Sequence, residues 1–246
     1  MIACKYGAGG PHLQPNKDPF LNRAISSVPP RVSSILAFFY DWIFPPRPES
    51  TEKAILERIL SESDIVVEAG ARIGGSTLLM SKLVGEKGMV YVFEPNPYAF
   101  RVLKHHTRMS SNIQIHNLAL GDAHTKRYLS IEVPFGRSSG ASLFSKTKYK
   151  VPVVVTTIEE ATKRFHIPAI DVLVIDAEGA ELSILRGASD SLKGLKFAYI
   201  ECHSSLVHNV ESRVSTLLAE GGLLLEERRT DPNEPDISVN VYRRVQ

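Results

Sequence analysis

Cysteine is nearly absent. The 246 residues contain two, Cys4 and Cys202, far apart in the chain and outside any metal-ligand spacing, which excludes a disulfide framework and a zinc-ribbon type of site. A surplus of charge of one sign is missing too. Lys and Arg number 29 against 27 Asp and Glu, a formal net of +2, and so even a balance leaves no electrostatic footprint for a dedicated nucleic-acid binder. No apolar run reaches the roughly 20 residues that a membrane-crossing helix needs. The nearest, an aromatic-rich stretch at 34–44, is short and interrupted by Asp41. It reads as a helix packed on the domain, with membrane-interface contact or self-association as the alternatives. The first twenty residues lack the apolar segment of a secretory signal and are broken by Gly9, Gly10, Pro11, Pro15 and Pro19. The expectation is a cytoplasmic protein that handles a small molecule; nothing in the pattern fixes an oligomeric state.

What is present is alternation. After a Gly/Pro/Asn-rich arm and the aromatic helix (1–48), short β-branched runs at 65–68, 89–93, 113–116, 128–133, 151–156, 172–175, 197–200, 223–226 and 237–242 are separated by segments of helical spacing. Ser50 or Thr51 is placed to cap the first helix, and Ser76 and Thr77 to open the second. Such a pattern predicts one α/β domain over 49–246, Rossmann-like, with a largely parallel sheet and helices on both faces.

Four of the expected strands end in an acid: Glu68, Glu94, Asp176 and Glu201. In an open parallel sheet these ends line one edge, where ligands bind near the switch in strand order. Glu94, closing the second strand, suits the two hydroxyls of a ribose. Asp122, just past the third, suits an adenine amino group, although Gly121-Asp122 is equally ordinary turn chemistry. The first turn carries Gly70, Gly74 and Gly75, without the dinucleotide fingerprint that seats a pyrophosphate. Glu68, before the first glycine, would repel a phosphate but suits a cationic ammonium or sulfonium group. S-adenosylmethionine meets these requirements, its carboxylate facing the helix start and its ribose reaching Glu94.

Successive blocks, Glu68-Ala-Gly70-Ala-Arg-Ile-Gly74, Phe93-Glu94-Pro95-Asn96, Leu118-Ala-Leu120-Gly121-Asp122, Ile175-Asp176-Ala-Glu178-Gly-Ala-Glu181 with Leu185-Arg-Gly-Ala188, and Ile200-Glu201-Cys-His203, resemble in order and spacing the FkbM family of S-adenosylmethionine-dependent methyltransferases. The resemblance implies a seven-stranded methyltransferase fold with an antiparallel last strand. It also implies O-methylation of a hydroxyl on a sugar, lipid or natural product. It places the cofactor against Glu68, Gly70, Ala71, Gly74, Thr77, Glu94, Pro95, Asn96, Leu120, Gly121, Asp122 and Asp176. Arg72 stands where the family usually has Asn, and Val174 where it usually has Lys. Candidates for taking the acceptor's proton are Asp176, Glu178 and His203, with His203 favoured by the intrinsic pKa of imidazole. No metal is expected, since a set of Asp176, Glu178 and Glu201 has no independent support. The competing readings are a nicotinamide-dependent oxidoreductase, a nucleic-acid or protein methyltransferase, and a non-catalytic descendant that keeps the fold as a binding module.

Overall fold

The computed structural model describes residues 42–43, 46–131, 142–143 and 149–245. The N-terminal arm, most of the aromatic run at 34–44 and the Gly/Ser loop up to residue 141 lie outside the described residues. In chain order the elements are α1 (Ser50–Ile59), β1 (Ile65–Ala69), α2 (Gly75–Val84), β2 (Met89–Phe93), α3 (Pro97–Thr107), β3 (Ile113–His116), β4 (Ala119–Leu120), β5 (Thr125–Ile131), β6 (Tyr149–Thr156), α4 (Ile158–Phe165), β7 (Val172–Ile175), α5 (Glu181–Arg186), β8 (Phe197–His203), α6 (Val210–Glu220), β9 (Leu223–Asp231) and β10 (Glu234–Arg244).

The period-two geometry of strands builds three layers from this chain. Val66, Val90, Val92, Val172 and Val174 face one side and pack on Leu56 of α1, Met80 of α2 and Leu103 of α3. Val67, Phe93, Leu173, Ile175 and Ile200 face the other and pack on Ile158 of α4, Leu185 of α5 and Val214 of α6. Each such side chain, fully buried, contributes about 1.5–3 kcal/mol. The seven strands run in the order β3-β2-β1-β7-β8-β10-β9. β1, β2, β3, β7 and β8 are parallel, and β10 is antiparallel to both its neighbours. The expected fold class, including the antiparallel last strand, is what the chain adopts. From β1 the chain winds outward to β2 and β3, then returns to β7 on the opposite side of β1, so the order reverses at β1/β7 and a crevice opens beyond their carboxyl ends.

Several local expectations are corrected. The strands foreseen at 128–133 and 151–156 exist as β5 and β6, but with β4 they form a separate three-stranded sheet around Leu129, Ile131, Val153 and Val155. β8 does not end near Glu201; pairing with β10 carries it on, Val239 opposite Glu201 and Ile237 opposite His203. Neither Ser50 nor Thr51 caps α1, because Glu49 holds the cap position in extended conformation. No helix among the described residues is long and apolar enough to cross a membrane.

Candidate active site

The turn after β1 is shaped by its neighbours. Gly70 sits at φ +92°, and a Cβ there would lie 1.7 Å from the carbonyl oxygen of Asp176. Its N–H donates to the Phe93 carbonyl at 2.9 Å, while the Asp176 N–H donates to the Ala69 carbonyl at 2.9 Å. The ends of β1, β2 and β7 are thereby knitted together, and the glycine serves this backbone approach. Gly74, at φ +96°, occupies the cap position of α2, and the space its missing Cβ leaves is filled by Leu103 of α3, 2.7 Å away.

Glu94 latches two loops. One carboxylate oxygen accepts from the Arg72 N–H at 2.6 Å and the other from the Asn96 N–H at 2.8 Å. Asn96 in turn caps α3 by accepting from the Tyr98 N–H at 3.0 Å, ahead of Pro97 at the first helical position. Asn117 braces the carbonyls of Glu94 and Pro95 from the end of β3, at 2.8 and 3.1 Å. Burial lifts the Glu94 carboxyl to about 7, although the two N–H donors and the Arg72 charge act against the rise. Arg72 holds its end of the latch at φ +54°, a left-handed backbone that costs a side-chain-bearing residue roughly 1–2 kcal/mol.

Glu68 is the fourth residue of β1, so the strand period turns it toward α2, where the Thr77 hydroxyl donates to it at 2.6 Å. Both are buried, and burial raises the Glu68 carboxyl to about 8. Thr77 therefore ties strand to helix and does not open α2 as a cap. Ser76 donates to Glu52 of α1, which brings a further acid to this edge. Sequence reasoning missed Glu52; on its own helix nothing distinguishes it from Glu57, and only the docking of α1 beside β1 singles it out. Burial raises its carboxyl, with the Glu201 charge adding to the effect.

Beyond β7 the chain turns through Glu178 at φ +47° and Gly179 at φ +95°. Glu181, fully buried, accepts from the Gly179 N–H at 2.9 Å and faces His203 Nδ1 at 2.7 Å. The other ring nitrogen stands 3.5 Å from an oxygen of Glu178 and 3.5 Å from one of Glu201. Burial opposes a charge on His203, yet hydrogen bonds to Glu181 and Glu201 and the charges of Glu178 and Asp176 prevail and push it up to about 11. His203, offered by the sequence as the base, thus lies among three carboxyl groups that favour its protonated form. Glu178 is lifted to about 7, by burial first and by Glu201 and Glu181 next, against the pull of His203 and Arg72. Asp176, on the open side of the crevice, is raised well above the usual carboxylate range by desolvation and by Glu201. Asp176, Glu178 and His203 bring one potential ligand atom each within 4.8 Å of the others.

The structure thus gathers Glu68, Glu94, Asp176, Glu178, Glu201 and His203 along one sheet edge. The Leu120-Gly121-Asp122 block is tied to β6 and α5. Leu120 is buried, the Gly121 N–H donates to Thr156 at 2.9 Å, and the Asp122 N–H donates to Ser183 of α5 at 3.2 Å. No described hydrogen bond joins this block to Glu94. Val174 lies in the apolar layer opposite Tyr199, so no charged side chain stands there.

Residues 68–222 match the model of the methyltransferase FkbM domain. The chain belongs to this family. A curated relative of this FkbM methyltransferase is the hexuronic acid methyltransferase AglP of Haloferax volcanii, 25% identical over 186 residues that cover 74% of each protein. Among solved structures, a candidate rRNA methylase of Clostridium thermocellum superposes with TM-score 0.53 at 10% identity, over 82% of this chain and 98% of that one. Fibrillarin of Aeropyrum pernix, solved with S-adenosyl-L-methionine bound, gives TM-score 0.50 at 17% identity, over 78% and 73%. These two likenesses show the fold. The cofactor of this FkbM methyltransferase is S-adenosylmethionine, which supplies a methyl group on a positively charged sulfur. The residues present fit it: an edge crowded with carboxyl groups suits a donor with two positive charges, and a buried, unpartnered Arg72 Nε suits its one negative group.

Proposed function

We propose that this protein O-methylates a hydroxyl of a sugar-type small molecule, with Glu178 taking the proton from the acceptor. The observation that carries this reading is geometric: the partly exposed Glu178 carboxyl stands 3.5 Å from the buried His203 ring, in surroundings that raise it to about 7. A group that titrates near the working pH is half ionised and still basic enough to accept a proton, the most efficient compromise for a general base. With S-adenosylmethionine bound, its methyl would pass from sulfur to the acceptor oxygen, leaving the neutral thioether, and the acceptor's proton would go to a Glu178 oxygen. His203 keeps its own proton and stabilises the negative charge shared by Glu178 and the acceptor. Asp176 faces the same space and orients the hydroxyl. Glu94 would hold the ribose with the lone pairs its latch leaves free.

The sugar class is supported by the Haloferax relative, whose name specifies a hexuronic acid. A hydroxyl is favoured over a carboxylate as the accepting group because only a hydroxyl brings a proton for Glu178 to take. The even charge balance supports a small molecule over a nucleic acid.

Transfer of a labelled methyl group to a panel of neutral sugars, uronic acids and hydroxylated lipids tests the reading. Glu178→Gln is expected to lower turnover about 10²–10⁴-fold while calorimetric affinity for S-adenosylmethionine stays within about twofold. The wild-type rate should rise with pH through about 7 and then level off, as the base loses its proton. Removing the neighbouring cation in His203→Gln should move that midpoint upward. Undiminished turnover by Glu178→Gln, or methyl esters as the sole products, would overturn the assignment.

A further inference from the structure

The helix start that the sequence offers to the cofactor's carboxylate is already covered. Backbone atoms of Arg47 and Pro48 stand 3.4–3.5 Å from where a Cβ on Gly75 would sit, and the Ser76 hydroxyl is engaged by the Glu52 carboxyl. An anion brought there would meet chain already in place and a second negative group. Arg72 offers the alternative. Its backbone is pinned to Glu94 by the 2.6 Å hydrogen bond and held at φ +54°, so its side chain leaves the turn in a fixed direction. No described residue accepts a hydrogen bond from its guanidinium, and Nε is buried with no partner. The charge of Arg72 nonetheless acts on both the Glu94 and the Glu178 carboxyl.

The chemistry of the donor connects these facts. Its sulfur carries three substituents: the adenosyl group, the methyl to be transferred, and the amino-acid arm. With the ribose held at Glu94 and the methyl turned toward Glu178, the third substituent would come within reach of a residue that is bonded to the first carboxyl and acts on the second. We propose that Arg72 binds the α-carboxylate of S-adenosylmethionine, the guanidinium replacing the helix start as the anion contact. This rests on the cofactor and ribose placement above and adds the residue that recognises the amino-acid arm. Left-handed backbone at a residue with a long charged side chain fits a position kept for what that side chain does. A buried guanidinium nitrogen with nothing to donate to is costly until an acceptor arrives.

The test compares ligands that differ in that carboxylate. Calorimetry on the full chain would measure S-adenosylmethionine and decarboxylated S-adenosylmethionine, which keeps the sulfonium and the amine. Arg72→Gln should weaken S-adenosylmethionine about tenfold or more and leave the decarboxylated analogue within about twofold. Arg72→Lys should recover part of the loss, and Arg72→Asn, better suited to the left-handed backbone, should repeat the glutamine result in a chain whose melting temperature is intact. Equal losses for both ligands, or none for either, would overturn the Arg72 assignment while the cofactor reading stands. Failure of the wild-type chain to bind either ligand would overturn the cofactor reading and this proposal together. A higher KM for acidic acceptors with undiminished S-adenosylmethionine affinity would move Arg72 to the acceptor side and overturn it as well.

Discussion

Glu68 shows how a single side chain sets a pH dependence. Its carboxyl is buried against Thr77 and raised from an ordinary 4.5 to about 8, so between those values the folded chain holds a proton that the unfolded chain releases. The stability tied to this group is complete below pH 4.5 and is lost as pH rises through about 8. Glu68→Gln keeps an acceptor for Thr77 and removes the titration. Urea unfolding should find the variant and the wild type alike near pH 4.5, with the variant the more stable at pH 9 by about a few kcal/mol. A wild type that is the more stable at pH 9 would mean the carboxylate is ionised and satisfied there. Glu94 has a different task, because its two oxygens join separate loops. Glu94→Ala should abolish calorimetric cofactor binding with the far-ultraviolet dichroism unchanged; undiminished affinity would leave Glu94 as a latch alone.

At the scale of elements, the site depends on how closely β1 and β7 approach beyond their carboxyl ends. Gly70→Ala puts a methyl 1.7 Å from the Asp176 carbonyl oxygen, at a φ that disfavours any side chain, and neither backbone can yield without opening the crevice. A loss of about 3 kcal/mol or more in chemical denaturation is expected. Gly194→Ala is the control, since its nearest contact would be the Ile170 carbonyl oxygen at 3.8 Å, and it should be close to neutral. The same scale explains His203. The chain reaches it only because β10 pairs along the full length of β8, carrying the imidazole past Glu201 to the mouth of the crevice, where α5 presents Glu181 from its first residue.

Across the whole molecule the two edges of the sheet treat their acids in opposite ways. At the amino ends of β1, β7 and β8, Lys196 bridges Asp64 at 2.8 Å and Asp171 at 3.0 Å, and these carboxylates also accept from the Ser61 and Ile65 N–H groups. Their charges are matched locally, as in a fastening. At the carboxyl ends burial raises Glu52, Glu68, Glu94, Asp176 and Glu178, and a cationic ligand arriving there would favour their ionised forms. Lys196→Ala should therefore cost about 1–2 kcal/mol, most of it from the buried Asp64 left without its partner, and leave S-adenosylmethionine affinity unchanged. A fall in cofactor affinity would show that the edges are coupled.

The alternation of β-branched runs with helical spacing determined the layered parallel sheet, because strand and helix periods are local properties that each segment carries by itself. The same alternation named Glu94 and Asp176 as edge residues, since a strand's last residue is legible from where its apolar run stops. Tertiary structure alone decided the rest. Glu52 enters the site by the docking of a helix whose own pattern does not distinguish it. The left-handed turn at Gly70 is fixed by the Asp176 carbonyl, which follows a strand far along the chain. The rise of the His203 pKa comes from Glu181 of α5, Glu201 of β8 and Glu178 in the turn before α5, and neighbours brought together across space cannot be read from the residue type they act on.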